Sequence, residues 1–152
     1  MKSLASSESR VELIRRLRLV RADHAPRWGR MTAHQMICHL ADACRMAVGE
    51  KRVRGASGRL LPGLMKLVAL YMPVRWPRGI MTSPEIDQLC DGTKPASFET
   101  DVAQVEALLE TLASRAASAE WPIHPVFGRM SHAAWMRWAY LHTDHHLRQF
   151  GV

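Results

Sequence analysis

Four stretches of the chain repeat apolar residues at the three- and four-residue spacing of an amphipathic helix, and none sustains the alternation of a half-buried strand. That pattern restricts the fold to helix packed on helix. The clearest stretch opens with Thr32 and Gln35, a capping-box pair, with Met31 before it as a hydrophobic staple. Met36, Leu40, Ala43 and Ala47 follow at helical spacing, and Gly49 stands where a helix stops. An earlier helix is predicted over Ser9–Val20, with Ser9 and Glu12 as its capping box and Val11, Leu13, Ile14, Leu17 and Val20 as its apolar face.

The remaining elements follow from the same signals. Residues 50–59 are polar and basic and read as a loop. A short helix is predicted over Leu61–Tyr71, followed by a long connection to Ser97. That connection holds Pro73, Pro77, Pro84 and Pro95, with a helical turn expected over Pro84–Leu89. A helix is predicted over Thr100–Ser118, with Val102, Val105, Leu108, Leu109 and Leu112 inward and Asp101 supporting its N-terminus. A crossing loop from Trp121 to Gly128 leads to a last helix over Ser131–Phe150, ended by Gly151. The expected fold is an all-α domain over residues 1–152: a bundle of four long helices, with an extra short helix and long connections.

Composition narrows the function classes. The net charge is +7, from 21 basic and 14 acidic residues. It concentrates in Arg10, Arg15, Arg16, Arg18 and Arg21, and in Lys51, Arg52, Arg54 and Arg59. No aromatic interleaving or nucleic-acid motif accompanies these groups, so they read as solvated basic surface rather than a nucleic-acid interface. The apolar run from Leu60 to Val74 is broken by Pro62, Gly63 and Lys66 and is too short to span a bilayer. No signal peptide is visible, which leaves the cytoplasm as the default compartment. Cys38, Cys44 and Cys90 include no CxxC pair and read as reduced, buried thiols.

The histidines carry the chemistry. At 100° per residue, Trp135, Ala139, His142, His146 and Gln149 fall within roughly 80° of one another on the last helix. Two imidazoles one turn apart on a buried face lack hydrogen-bond partners for all their nitrogens, and a shared cation would supply one. His39 lies at the edge of the Met36/Leu40/Ala43 face and is the expected third ligand. Three imidazoles accept zinc, nickel, copper or iron and leave a coordination position open. Asp42, one turn beyond His39, is a candidate to orient it or to bind alongside it, and His145 is read as an exposed residue, a supporting group or a proton carrier. His34, about 180° from the apolar face, is expected in solvent. Trp135 and Trp138 are read as core or interface. His24, His124 and His132 receive no role.

The segment from Trp28 to Leu40, the run His124–Gly128, and Trp135 through Gly151 with its HxxHH-x-R-Q ending resemble the DUF1569 branch of the DinB/YfiT-like superfamily. The resemblance implies a four-helix bundle with a three-histidine metal site at His39, His142 and His146. It implies a divalent ion, zinc or nickel, and in some relatives thiol-dependent transfer or isomerisation with bacillithiol, mycothiol or glutathione. Many relatives form dimers, so a homodimer is a further expectation from the resemblance. The leading functional reading is therefore a transferase acting on a low-molecular-weight thiol and an electrophile, with no nucleic-acid or membrane partner. Arg148 or the 51–59 loop would hold the thiol's carboxylates, Arg148 being read equally as a helix-end cation facing the dipole. Two alternatives stand beside it: a non-catalytic metal-binding or dimeric module, and a metal-dependent hydrolase with Asp42 or His145 as base. Asp144 is discounted as that base because it points away from the ligand face.

Overall fold

The computed structural model describes residues 1–55, 62–73 and 75–152. Among them are α1 (Ser7–Leu17), α2 (Ala33–Val48), α3 (Pro62–Tyr71), a single 3-10 turn at Pro84–Ile86, α4 (Phe98–Ser114) and α5 (His132–Gln149). No strand occurs among the described residues; His124 and Gly128 form one isolated antiparallel bridge. Arg59 and Leu61 lie outside the described residues.

α2 is closed at both ends as its sequence dictates. Thr32 accepts from the Gln35 amide while the Gln35 side chain accepts from the Thr32 amide. Gly49 adopts the left-handed conformation, φ 88°, that only glycine takes without strain. α5 begins one residue after Ser131, whose hydroxyl accepts from the Ala134 amide.

Other boundaries shift for identifiable reasons. α1 is capped by Ser6, whose hydroxyl accepts from the Ser9 amide, not by Ser9 itself. The earlier start lets fully buried Leu4 dock its amide on the Met136 carbonyl of α5. Ser9 is then buried, and Val11, assigned to the apolar face by spacing, is exposed. α1 also ends at Leu17, and Val20 is reached through a tighter turn. α4 begins earlier than predicted and stops at Ser114. There Arg115 turns away and donates to the Val48 and Glu120 carbonyls, satisfying a carbonyl of α2's last turn.

α2 packs most extensively on α4, and α5 crosses α1, α2, α3 and α4. Trp135, Met136 and Leu147 of α5 meet Leu13, Leu17, Met36, Ile37, Leu40, Leu109 and Leu112 in one core. Each such side chain contributes about 1.5–3 kcal/mol by leaving water. The arginines of α1 are only partly a solvated surface. Arg10 pairs with Glu110, Arg18 with Glu106 and Arg16 with Asp144, so they lace α1 to its neighbours. Cys38 and Cys44 are buried, and burial pushes both thiols up to about 12. Cys90, expected to be buried with them, is exposed because it lies in the turn after the 3-10 segment. No described helix is long and apolar enough to cross a membrane.

Candidate metal centre

His142 and His146 stand one turn apart on α5, with ring centres 4.8 Å apart and planes at 77°. His39 enters from α2, 5.1 Å from the His142 ring and 4.7 Å from the His146 ring. The Nε2 atoms of His39 and His142 are 3.2 Å apart. One nitrogen from each ring lies within 4.8 Å of the others. His39 and His146 are buried, and His142 is half-buried.

Hydrogen bonds fix which nitrogens face one another. His39 Nδ1 lies 2.7 Å from the Ile86 carbonyl, which only accepts, so that nitrogen carries the proton and Nε2 holds the lone pair. On the other helix, the Gln149 amide nitrogen donates to the Trp28 carbonyl at 2.7 Å. That turns Gln149 Oε1 toward His146 Nδ1, 2.8 Å away, so His146 also donates outward through Nδ1. Gly29 makes room for this link. Its φ is +84°, and a Cβ there would meet the Gln149 amide nitrogen at 2.6 Å.

Burial holds all three imidazoles below their ordinary value of 6.5, and each ring's neighbours lower it further for His142 and His146. They are neutral near pH 7, the form that ligates a metal. Two imidazoles bound tetrahedrally at about 2.0–2.1 Å stand about 3.3 Å apart, close to the spacing of His39 and His142. One proton can bridge that pair, and His146 has Gln149 as its side-chain partner, through Nδ1. The donor set, its tautomers and its spacing fit a divalent ion.

Aromatic rings surround the group. Trp138 stacks on His142 with ring centres 5.0 Å apart and planes at 13°. It is therefore a wall of this site as well as core. Trp76 lies 6.2 Å from His142 and 6.1 Å from His145, held in place by its indole N–H on the Ala69 carbonyl. Trp28 meets His145 at 5.7 Å, and the Arg78 guanidinium sits over Trp28 at 4.5 Å. His145 thus lies between two indoles, 5.3 Å from the His146 ring.

Over residues 10–150 the chain matches the family model described as DinB superfamily. The chain belongs to the DinB superfamily. No curated protein and no solved structure matches it. The DinB match includes α2 and α5 and so spans all three histidines.

One supporting residue of this DinB protein differs from expectation. Asp42 does not orient His39; the Ile86 carbonyl does. The Asp42 carboxylate is enclosed and taken up by Thr93, Gln88, Lys51 and Arg45. Burial alone would raise its pKa, but Lys51 and Thr93 hold it below the ordinary range. Arg148 is paired with Asp144 at 2.9 Å, and Arg16 holds the same carboxylate at 2.7 Å. In the loop after α2, Lys51 turns to Asp42 and Arg54 to Glu85.

Sequence reasoning missed Ile86, Trp28, Trp76 and Arg78 in this DinB site. It placed Gln149 on the ligand face without a role, although Gln149 follows His146 by the i,i+3 spacing that brings two side chains together. His124, given no role, is buried and accepts from the Val126 and Phe127 amides through Nδ1, shaping the turn before α5.

Proposed function

We propose that this DinB-superfamily protein is a divalent-metal-dependent enzyme that joins a low-molecular-weight thiol to an electrophilic small molecule. The outward tethering of two Nδ1 atoms carries the reading. With Ile86 and Gln149 holding His39 and His146, the inner nitrogens are preset toward one point before any ion arrives. Three protein donors leave a tetrahedral ion one position short, the mark of a catalytic centre. A zinc or nickel ion held there would bind the thiol sulfur and keep it a thiolate at neutral pH.

The chain's own residues do the rest. Trp138 and Trp76 flank His142 and limit water at the reacting sulfur. Arg78 over Trp28 offers a cation for the thiol's carboxylates, and Arg148, tied to Asp144, offers a weaker one. His145 is held neutral by burial and the nearby Arg148, so one of its ring nitrogens can accept a proton released by the thiol. Within the superfamily, the HxxHH-x-R-Q ending leads us to place the chain in the DUF1569 branch.

A second reading, a metal-binding module without catalysis, is favoured by the same indoles, which crowd the approach to His142. The two are separated by comparing metal-loaded and chelated protein. The assays are consumption of glutathione, bacillithiol or mycothiol with a generic electrophile, and hydrolysis of an ester. Metal-dependent thiol consumption that disappears in His142→Ala is the expected result. Ester hydrolysis without thiol consumption would move the assignment to a hydrolase, and tight metal binding with neither reaction would move it to the module.

A further inference from the structure

α2 carries a second set of donors on the side that faces α4. His34 and Cys38 are one turn apart on α2, and Asp101 lies in the first turn of α4. One ligand atom from each lies within 4.8 Å of the others. His34 Nε2 is 2.7 Å from Asp101 Oδ2, and Cys38 Sγ is 3.7 Å from the same oxygen. His34, expected in solvent, is instead part-buried, with the Phe98 ring against it edge-on at 5.3 Å.

We propose that His34, Cys38 and Asp101 form a second metal site, for a borderline divalent cation such as zinc or cobalt. One nitrogen, one sulfur and one oxygen donor disfavour magnesium and calcium, which take oxygen ligands, and suit a softer ion. Sulfur and oxygen bound to one tetrahedral ion at about 2.3 and 2.0 Å stand about 3.5 Å apart, near the observed Cys38–Asp101 spacing. The His34–Asp101 pair must open by about 0.6 Å to reach the matching N–O separation. A small turn of the His34 ring, which keeps 20% of its side chain exposed, supplies that. The Ala96 amide already donates to Asp101 Oδ2 at 3.2 Å and fixes the carboxylate from outside, as a supporting group does.

Binding balances simply. Cys38 gives up its thiol proton to solvent on coordination, and the His34 proton moves to Nδ1, leaving that ring neutral. Three protein donors again leave a position open, here toward the partly exposed edge between His34 and Asp101. The site shares no residue with the three-histidine centre. Cys38 and His39 are neighbours about 100° apart around α2, so one set faces α4 and the other α5.

Cobalt titration of chelated full-length protein separates the two centres, because only a site containing sulfur gives a thiolate-to-cobalt charge-transfer band. The band is expected to reach the amplitude of one thiolate-bound cobalt per chain in the wild type and in His142→Ala, and to vanish in Cys38→Ser with helical circular dichroism retained. In His34→Gln, which keeps the thiol, cobalt affinity at this site is expected to fall by about tenfold or more. Absence of the band in wild type, its persistence in Cys38→Ser, or unchanged affinity in His34→Gln would overturn the proposal. Loss of metal in His142→Ala at the other centre leaves this band untouched, so the two readings fail separately.

Discussion

Replacing Asp42 with alanine tests whether one enclosed carboxylate holds the long connection to α2. The Asp42 side chain has no exposure. It accepts from Thr93 Oγ1 at 2.7 Å, the Thr93 amide at 2.8 Å, buried Gln88 at 2.9 Å and Lys51 at 2.8 Å. Asp42→Ala strands the Thr93 and Gln88 donors and removes the counter-ion of Lys51. Breaking a buried pair from one side costs about 3–5 kcal/mol. The Lys51 side chain keeps 22% exposure, so water recovers part of its share. The lower end, about 3 kcal/mol, is therefore the expected loss. For a domain of this size that is about 6–12 °C in melting temperature. Urea unfolding at pH 7, followed by circular dichroism, measures it.

The sign of the pH dependence follows from the depressed pKa of Asp42. A carboxylate whose folded pKa is lowered contributes in full above its unfolded value and loses that contribution as pH falls through the folded one. The gap between wild type and Asp42→Ala is thus complete at neutral pH and closes only below about pH 4. The variant also loosens the segment from Ile86 to Thr93, so metal affinity at His39 should fall by about tenfold. A variant within about 0.5 kcal/mol of wild type at pH 7 would refute the reasoning, because it would leave the enclosed donors without a cost.

Gln149→Leu removes the acceptor for His146 Nδ1 while keeping bulk, and should weaken zinc or nickel binding by about 10–100-fold in a competition titration; unchanged affinity would remove Gln149 from the site. His142→Ala and His146→Ala should each lower bound metal by about one equivalent per chain relative to wild type, read by elemental analysis; an unchanged metal content in both would defeat the three-histidine assignment. Chelation should lower the melting temperature, since an ion at a hundred times its dissociation constant adds about 2.7 kcal/mol to the native state; an unchanged melt after verified removal would mean that no ion stabilises the fold. Burial pushes His124 from 6.5 down to about 3, and two backbone amides occupy the nitrogen that would take the proton. The unfolded chain takes that proton below about pH 6.5 and the native chain refuses it, so this group's stability is full above that pH and falls by about 1.4 kcal/mol per unit toward pH 3. His124→Asn should flatten the measured acid limb by that amount, and an unaltered slope would contradict the burial argument.

How much of this was legible follows from what a single helix dictates. Rise and turn alone put His142, His146 and Gln149 on one face, and the Thr32/Gln35 box and Gly49 bounded α2 without reference to any neighbour. Ile86, Trp76 and Arg78 lie on a connection with no period to read. Its path is set by tertiary links, Trp76 to Ala69 and Asp42 to Thr93. Helical proximity alone brings Asp42 near His39, but the connection delivers stronger partners for its carboxylate, a cation and a backbone amide, that no helix period reveals.

The error at His34 has a more general cause. A hydrophobic face measured on one helix predicts exposure only when that helix has one neighbour. α2 buries thirteen of its sixteen residues, packed between α4 and α5 with the 3-10 turn beside it. On such a helix the direction opposite the apolar face is a second interface, and polar residues there acquire partners. His34 meets Asp101, just as His39 on another side meets Ile86. A polar residue on the far side of a central helix therefore belongs among the candidate ligands, and α2 can hold two donor sets because it is enclosed from two directions.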